Sequence, residues 1–203
     1  MNRAPVVLFH PGDGTVSSTF QPSIDANNLR WLRQSDATAA DIEDAQGLIL
    51  PLAVDQLALM EMKPALEAFL DRGGRLAIMC HLLRPFIEGP GIFVPMDKPK
   101  RADFNLYRLR EHAIFADTPT SSLESHKGVV GFYGRGHNPM PAGAVAVQVF
   151  GDRKVPVDWE WQRPGGGCVF CHSGNDLWVV GNEPKARQAM VLGLVDWCKG
   201  DIQ

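Results

Sequence analysis

The side chains able to do proton-transfer or covalent chemistry sit at the ends of apolar runs. Cys80 and His81 close the run Arg75–Cys80, RLAIMC, which is apolar on both faces. His10 closes Val6–His10 and is followed by Pro11, Gly12 and Asp13, while His172 closes Cys168–His172 with Asp176 shortly after it. A cysteine on the turn after a buried strand can be a nucleophile if a following helix N-terminus favours its thiolate. On that chemistry Cys80 is the candidate catalytic nucleophile, His172 or His81 is its base, and Asp13 or Asp176 orients the base. Other readings stay open: Cys80 as a small hydrophobe at a strand end or a redox thiol, and His172 as a hydrogen-bonded structural histidine.

Two loops supply candidate binding residues. His10–Thr15 follows the first strand and is not the G-x-G-x-x-G of a dinucleotide site; its His10 and Asp13 would face a ligand there. Gly131–His137 sets Tyr133, Arg135 and His137 among glycines, and Arg135 has the donor geometry for a carboxylate or phosphate. Both loops also read as plain turns. Trp159, Trp161 and Trp178 could stack on a sugar or fill the core. Cys168-Val-Phe-Cys171-His172 spells the haem attachment pattern, but it lies in a strand and no export signal precedes it. Along a strand Cys168 and Cys171 point to opposite faces, which also opposes a zinc pair. No metal and no cofactor are expected.

The elements that must position these groups follow from the apolar pattern. Val6–His10 and Gly47–Leu50 are short runs stopped by proline, Arg75–Cys80 is apolar on both faces, and strands buried on both faces belong to parallel sheets. Leu29–Arg33 is a weaker strand candidate. Pro64–Gly73 reads as a helix with Leu66, Phe69 and Leu70 inward. Strand, helix, strand argues for an α/β fold. From 89 to 161, strand candidates Ile92–Val94, Leu106–Leu109, Val129–Tyr133, Val145–Phe150 and Val155–Trp161 occur without a long helix, so this region reads as an insertion. After it come Cys168–His172 and a final helix opened by Asn182 and stopped by Gly200. The expected architecture is flavodoxin-like: one domain over 1–203, a mostly parallel central sheet with helices on both faces, and an antiparallel strand extension.

Composition narrows the function classes. The 203 residues carry 20 basic and 23 acidic side chains, a formal charge of −3, and no clustered basic footprint for nucleic acid or an anionic membrane. No run approaches the roughly 18 apolar residues of a membrane span, and the N-terminus lacks a secretory pattern, so a cytoplasmic setting with reduced thiols is expected. A small-molecule ligand and self-association into a homo-oligomer are compatible with this surface.

Two segments resemble known families. AIMCHLLRPFI around Cys80 and His81 resembles the AICHGP elbow of PfpI-type members of the class I glutamine amidotransferase-like superfamily, with Ile78 and Leu82 where small residues stand. The run PVDWEWQRPGGGCVFCHSGNDLW, with EHAIF and GFYGRGHNPMPAGA, is similar to ThuA-like domains: His112 matches one motif, and Asp158, Trp159, Gly167, Val169, His172, Asp176 and Trp178 another. The resemblance implies the amidotransferase-like architecture more than a reaction. Glutamine hydrolysis is not expected, because no histidine has an acid two positions on and the elbow glycines are missing. Three functions therefore stand: a cysteine-dependent small-molecule hydrolase or transferase, a non-catalytic ThuA-like module binding a sugar or small acid, and a structural or oligomerisation domain.

Overall fold

A computed structural model describes residues 5–12 and 15–201. The four apolar runs of the first half form strands β1 (Val6–His10), β2 (Leu29–Arg33), β3 (Gly47–Leu50) and β4 (Arg75–Ile78). Short helices α1 (Gln21–Asp25), α2 (Ala39–Glu43) and α3 (Gln56–Glu61) fall between them, with α4 (Lys63–Asp71) leading into β4. The first three helices escape a periodicity reading because each is under two turns long. Local chemistry marks them instead: Thr38 and Asp41 form a capping box on α2, and Asp55 caps α3 by accepting from the Leu57 and Ala58 amides. In α4, Leu66, Phe69 and Leu70 are all buried, each worth about 1.5–3 kcal/mol of apolar transfer.

The insertion adds two small ribbons and a sheet extension. Strand β5 (Val94–Pro95) pairs with β9 (Gly136–His137), and β7 (Ser125–His126) pairs with β8 (Val129–Val130). Strands β6 (Leu106–Arg108), β10 (Val145–Phe150) and β11 (Val155–Gln162) run antiparallel to their neighbours and join the main sheet through β12 (Cys168–His172). The expected strand Val129–Tyr133 stops at Val130, because Tyr133 turns into the core, where it is fully buried. Helix α5 (Pro184–Lys199) closes the chain, with Glu183 rather than Asn182 at its cap position and Gly200 at φ 79° ending it.

The main sheet has eight strands in the order β2-β1-β3-β4-β12-β11-β10-β6. The first five are mutually parallel, and the last three form the antiparallel extension. This is the expected flavodoxin-like sandwich. Alternation along the strands feeds two cores. On one face Val6, Leu8, Cys168 and Phe170 pack with Leu194 and Trp197 of α5. On the other, Val7, Phe9, Val169 and Cys171 pack with Leu66 and Phe69 of α4. Cys168 and Cys171 thus point to opposite faces, and all four cysteines are free thiols. The β11–β12 turn runs through Gly166 and Gly167 at φ 114° and 70°; a Cβ on Gly167 would lie 2.4 Å from the Leu70 carbonyl oxygen. Among the described residues no helix is long and apolar enough to cross a membrane.

Candidate functional site

The chain leaves β1 through α1, whose neighbours belong to the α5 face, and returns from β2 through α2, whose Ile42 belongs to the α4 face. Connections departing to opposite faces open a crevice at the carboxyl ends of β1 and β3, the switch point where α/β sheets bind ligands. A cleft of about 300 Å³ lies there. His10 and Pro11 from the end of β1, Pro51 and Ala53 from the end of β3, and Asp176 and Trp178 from beyond β12 line it, with Thr15, Ser17 and Phe20 closing one side.

Two of the residues expected from sequence meet in this cleft. His10 lies edge-on to Trp31, with ring centroids 5.8 Å apart, and its Nδ1 is 2.6 Å from the Gly12 carbonyl oxygen. Asp176 Oδ1 accepts the Leu52 amide at 2.7 Å. Burial pushes the Asp176 carboxyl up to about 6, against the pull of the Leu52 amide and His172. Asp13, named with them, lies outside the described residues.

Cys80 stands at the carboxyl end of the central strand β4, as expected, but the strand-turn-helix geometry of an elbow is not there. No helix follows it, so no helix N-terminus can favour a thiolate. The side chain has no solvent exposure and packs in the α4-side core. Burial, then Cys171 and Asp176, push its thiol far above the ordinary value. Three amides of the following turn are occupied. Leu82 donates to Asn138 Oδ1 at 2.9 Å, and Leu83 and Arg84 donate to Gln56 Oε1 at 2.8 and 3.0 Å. Asn138, which the sequence reading missed, also donates from Nδ2 to the Cys80 carbonyl at 2.8 Å and to Cys171 Sγ at 3.1 Å.

The two candidate bases are placed elsewhere. His81 is half-buried and stacked on Phe93, centroids 3.8 Å apart; burial and then His172 depress its pKa. His172 is fully buried, with Nδ1 2.7 Å from Asp158 Oδ1 and Nε2 2.8 Å from the Asn175 carbonyl oxygen, so neither nitrogen faces Cys80 or the cleft. Asp158 Oδ2 accepts from Tyr133 at 2.8 Å and from Gln148 at 2.9 Å. This closed polar core corrects the reading of Tyr133 as a pocket wall: burial, reinforced by Asp158, drives its phenol well above its ordinary pKa.

Arg135 and His137 do not reach the cleft. Arg135 is exposed, with its guanidinium over the Phe104 ring at 5.4 Å and a donated bond to the Val130 carbonyl at 3.2 Å. His137 pairs with Val94 between β9 and β5. Of the tryptophans, Trp159 and Trp161 fill the core and Trp178 lines the cleft. At the opposite end of the sheet, a polar cavity of about 250 Å³ is bordered by Arg75, Arg110, Glu160 and Cys168. There, burial works against Glu160, yet His112, Trp197 and Arg110 together hold it ionised, at about 2. Among the described residues no cluster of three His, Cys, Asp or Glu side chains could hold a metal ion.

Sheet order and switch-point cleft together define a flavodoxin-like α/β sandwich. No family model matches the chain. No curated protein matches it. A solved structure of a protein provisionally assigned as a GMP synthase subunit, from Thermoplasma acidophilum, is similar with a TM-score of 0.59 at 10% identity, covering 99% of this chain and 97% of that one. At that identity the likeness shows the fold alone: the two chains share an α/β sandwich over nearly their whole lengths.

Proposed function

We propose that this chain is a small-molecule-binding module on a glutamine amidotransferase-like fold, one that holds its ligand at the β1/β3 switch point and does not use a cysteine nucleophile. The observation that carries the reading is a contrast at one sheet edge. His10 and Asp176 line an open cleft, while Cys80, two residues beyond β4, is sealed beneath Asn138, with the Leu82, Leu83 and Arg84 amides engaged. A nucleophile needs a thiolate, a base and a place for the oxyanion. The resemblance to ThuA-like domains supports the same reading. Most of its matching residues, including Asp158, Trp159 and His172, serve the core, and Asp176 and Trp178 serve the cleft.

The test is thiol labelling combined with ligand mapping. Iodoacetamide at neutral pH should leave Cys80 unmodified in the native protein. Cys80→Ala should bind fragments as the native chain does, read by NMR shifts at His10, Ser17 and the Trp178 indole. Stoichiometric labelling of native Cys80, or a turnover abolished by Cys80→Ser, overturns the reading.

A further inference from the structure

We infer that the switch-point cleft selects a small organic cation: a protonated amine on a compact apolar ring, its ammonium set against Asp176 and its ring against Trp178. The inference rests on the binding-module reading and goes beyond it by naming the ligand's charge and shape.

The charge follows from the walls. Among the described residues lining the cleft, Asp176 is acidic and none is lysine or arginine. Asp13 and Gly14, which complete the neighbouring loop in sequence, add no base either. A ligand carboxylate or phosphate would lose water beside a carboxyl group with no lysine or arginine to receive it. The small-acid ligand expected from sequence therefore meets a carboxyl group and no lysine or arginine among the described residues of these walls. An ammonium, by contrast, meets an acceptor already placed. Asp176 Oδ1 is held by the Leu52 amide, and Oδ2 has no hydrogen-bond partner among the described residues.

The shape follows from the apolar walls. Phe20 and Trp178 meet edge-to-face, centroids 5.0 Å apart and planes at 64°. With Leu8, Pro11 and Pro51 they leave a mostly apolar cleft of about 300 Å³, at the small end of ligand sites. That suits one ring better than a nucleotide or an extended chain. An indole in the wall also favours a cation near its face.

Titration sharpens the selection. Burial holds Asp176 up to about 6, so the carboxylate is complete only above that pH. The other groups facing Asp176 are the Cys80 thiol and His172 on the sheet side, and His10 is across the cleft. Of these three, only His10 lines the cleft.

Three probes sharing one ring test this: benzylamine, benzyl alcohol and benzoate, titrated into the full chain and followed by NMR at the Trp178 indole. Above the Asp176 titration, benzylamine should bind about tenfold tighter than benzyl alcohol, with benzoate weakest. Below it the amine preference should disappear. Asp176→Asn should lose the preference and keep benzyl alcohol binding, which also reports that the variant is folded. If that variant does not fold, the pH dependence of the native chain gives the same readout. Benzoate binding as tightly as benzylamine, or a preference surviving in Asp176→Asn, overturns the cation assignment and leaves the site standing. Absence of any shift at Trp178 with all three probes overturns the site itself.

Discussion

Asp158 Oδ1 lies 2.7 Å from His172 Nδ1, and neither side chain touches solvent. The register of the β11–β12 hairpin makes this contact: Gln162 faces Cys168 next to the turn, and Asp158 then falls opposite His172. Every polar atom of the pair is used, by Asn175, Tyr133 and Gln148. Such a pair adds little beyond an apolar substitute, but losing one member strands the other. Asp158→Ala should therefore cost about 3–5 kcal/mol, measured by urea unfolding. A loss under about 1 kcal/mol would show that the network is dispensable.

Asp176 imposes a pH dependence of definite sign. Its folded value of about 6 lies above the ordinary 3.8, so between those values the folded state binds more protons than the unfolded one. Stability from this group falls as pH rises through that window and is constant above it. Asp176→Asn should remove the slope and raise the melting temperature above the window, by the equivalent of about 1–3 kcal/mol. Thermal melts across acid and neutral pH check this; a variant less stable than the native chain above the window contradicts it.

Asn138 seals Cys80. Its side chain satisfies the Leu82 amide and the Cys80 carbonyl, and Asn138→Ala leaves both without a partner in the core. The expected cost is about 2–4 kcal/mol. The same variant should make Cys80 react with a disulfide reagent in the native state, where the native chain is inert. A destabilised variant with Cys80 still protected would mean that the surrounding core, not Asn138, seals the thiol.

The strands of the parallel half are legible in sequence because continuous apolar runs stopped by Pro11, Pro51 or the residues after Ile78 have no other economical home. The carboxyl-edge position of His10, Cys80 and Asp176 follows from that alone. What does not follow is which side chains the edge exposes. Cys80 is covered by a side chain 58 positions further along the chain, and nothing local around Cys80 records it. Tyr133, Arg135 and His137 depend on how the insertion docks, and short glycine-separated strands leave that direction open. The Asp158–His172 pair was within reach: the three glycines before Cys168 mark a tight hairpin, and counting back from them aligns the two residues.

The four cysteines have a consequence for where such a protein could work. Oxidants and disulfide partners attack thiolates, and burial drives all four thiols of this chain well above the ordinary value. All four are buried, with Cys168 and Cys171 on opposite faces. The folded chain is thereby insulated from the redox potential of its surroundings and would keep the same four sulfhydryls in peroxide or in glutathione. Its vulnerability to oxidation lies in the interval before folding, when the nascent polypeptide still exposes them.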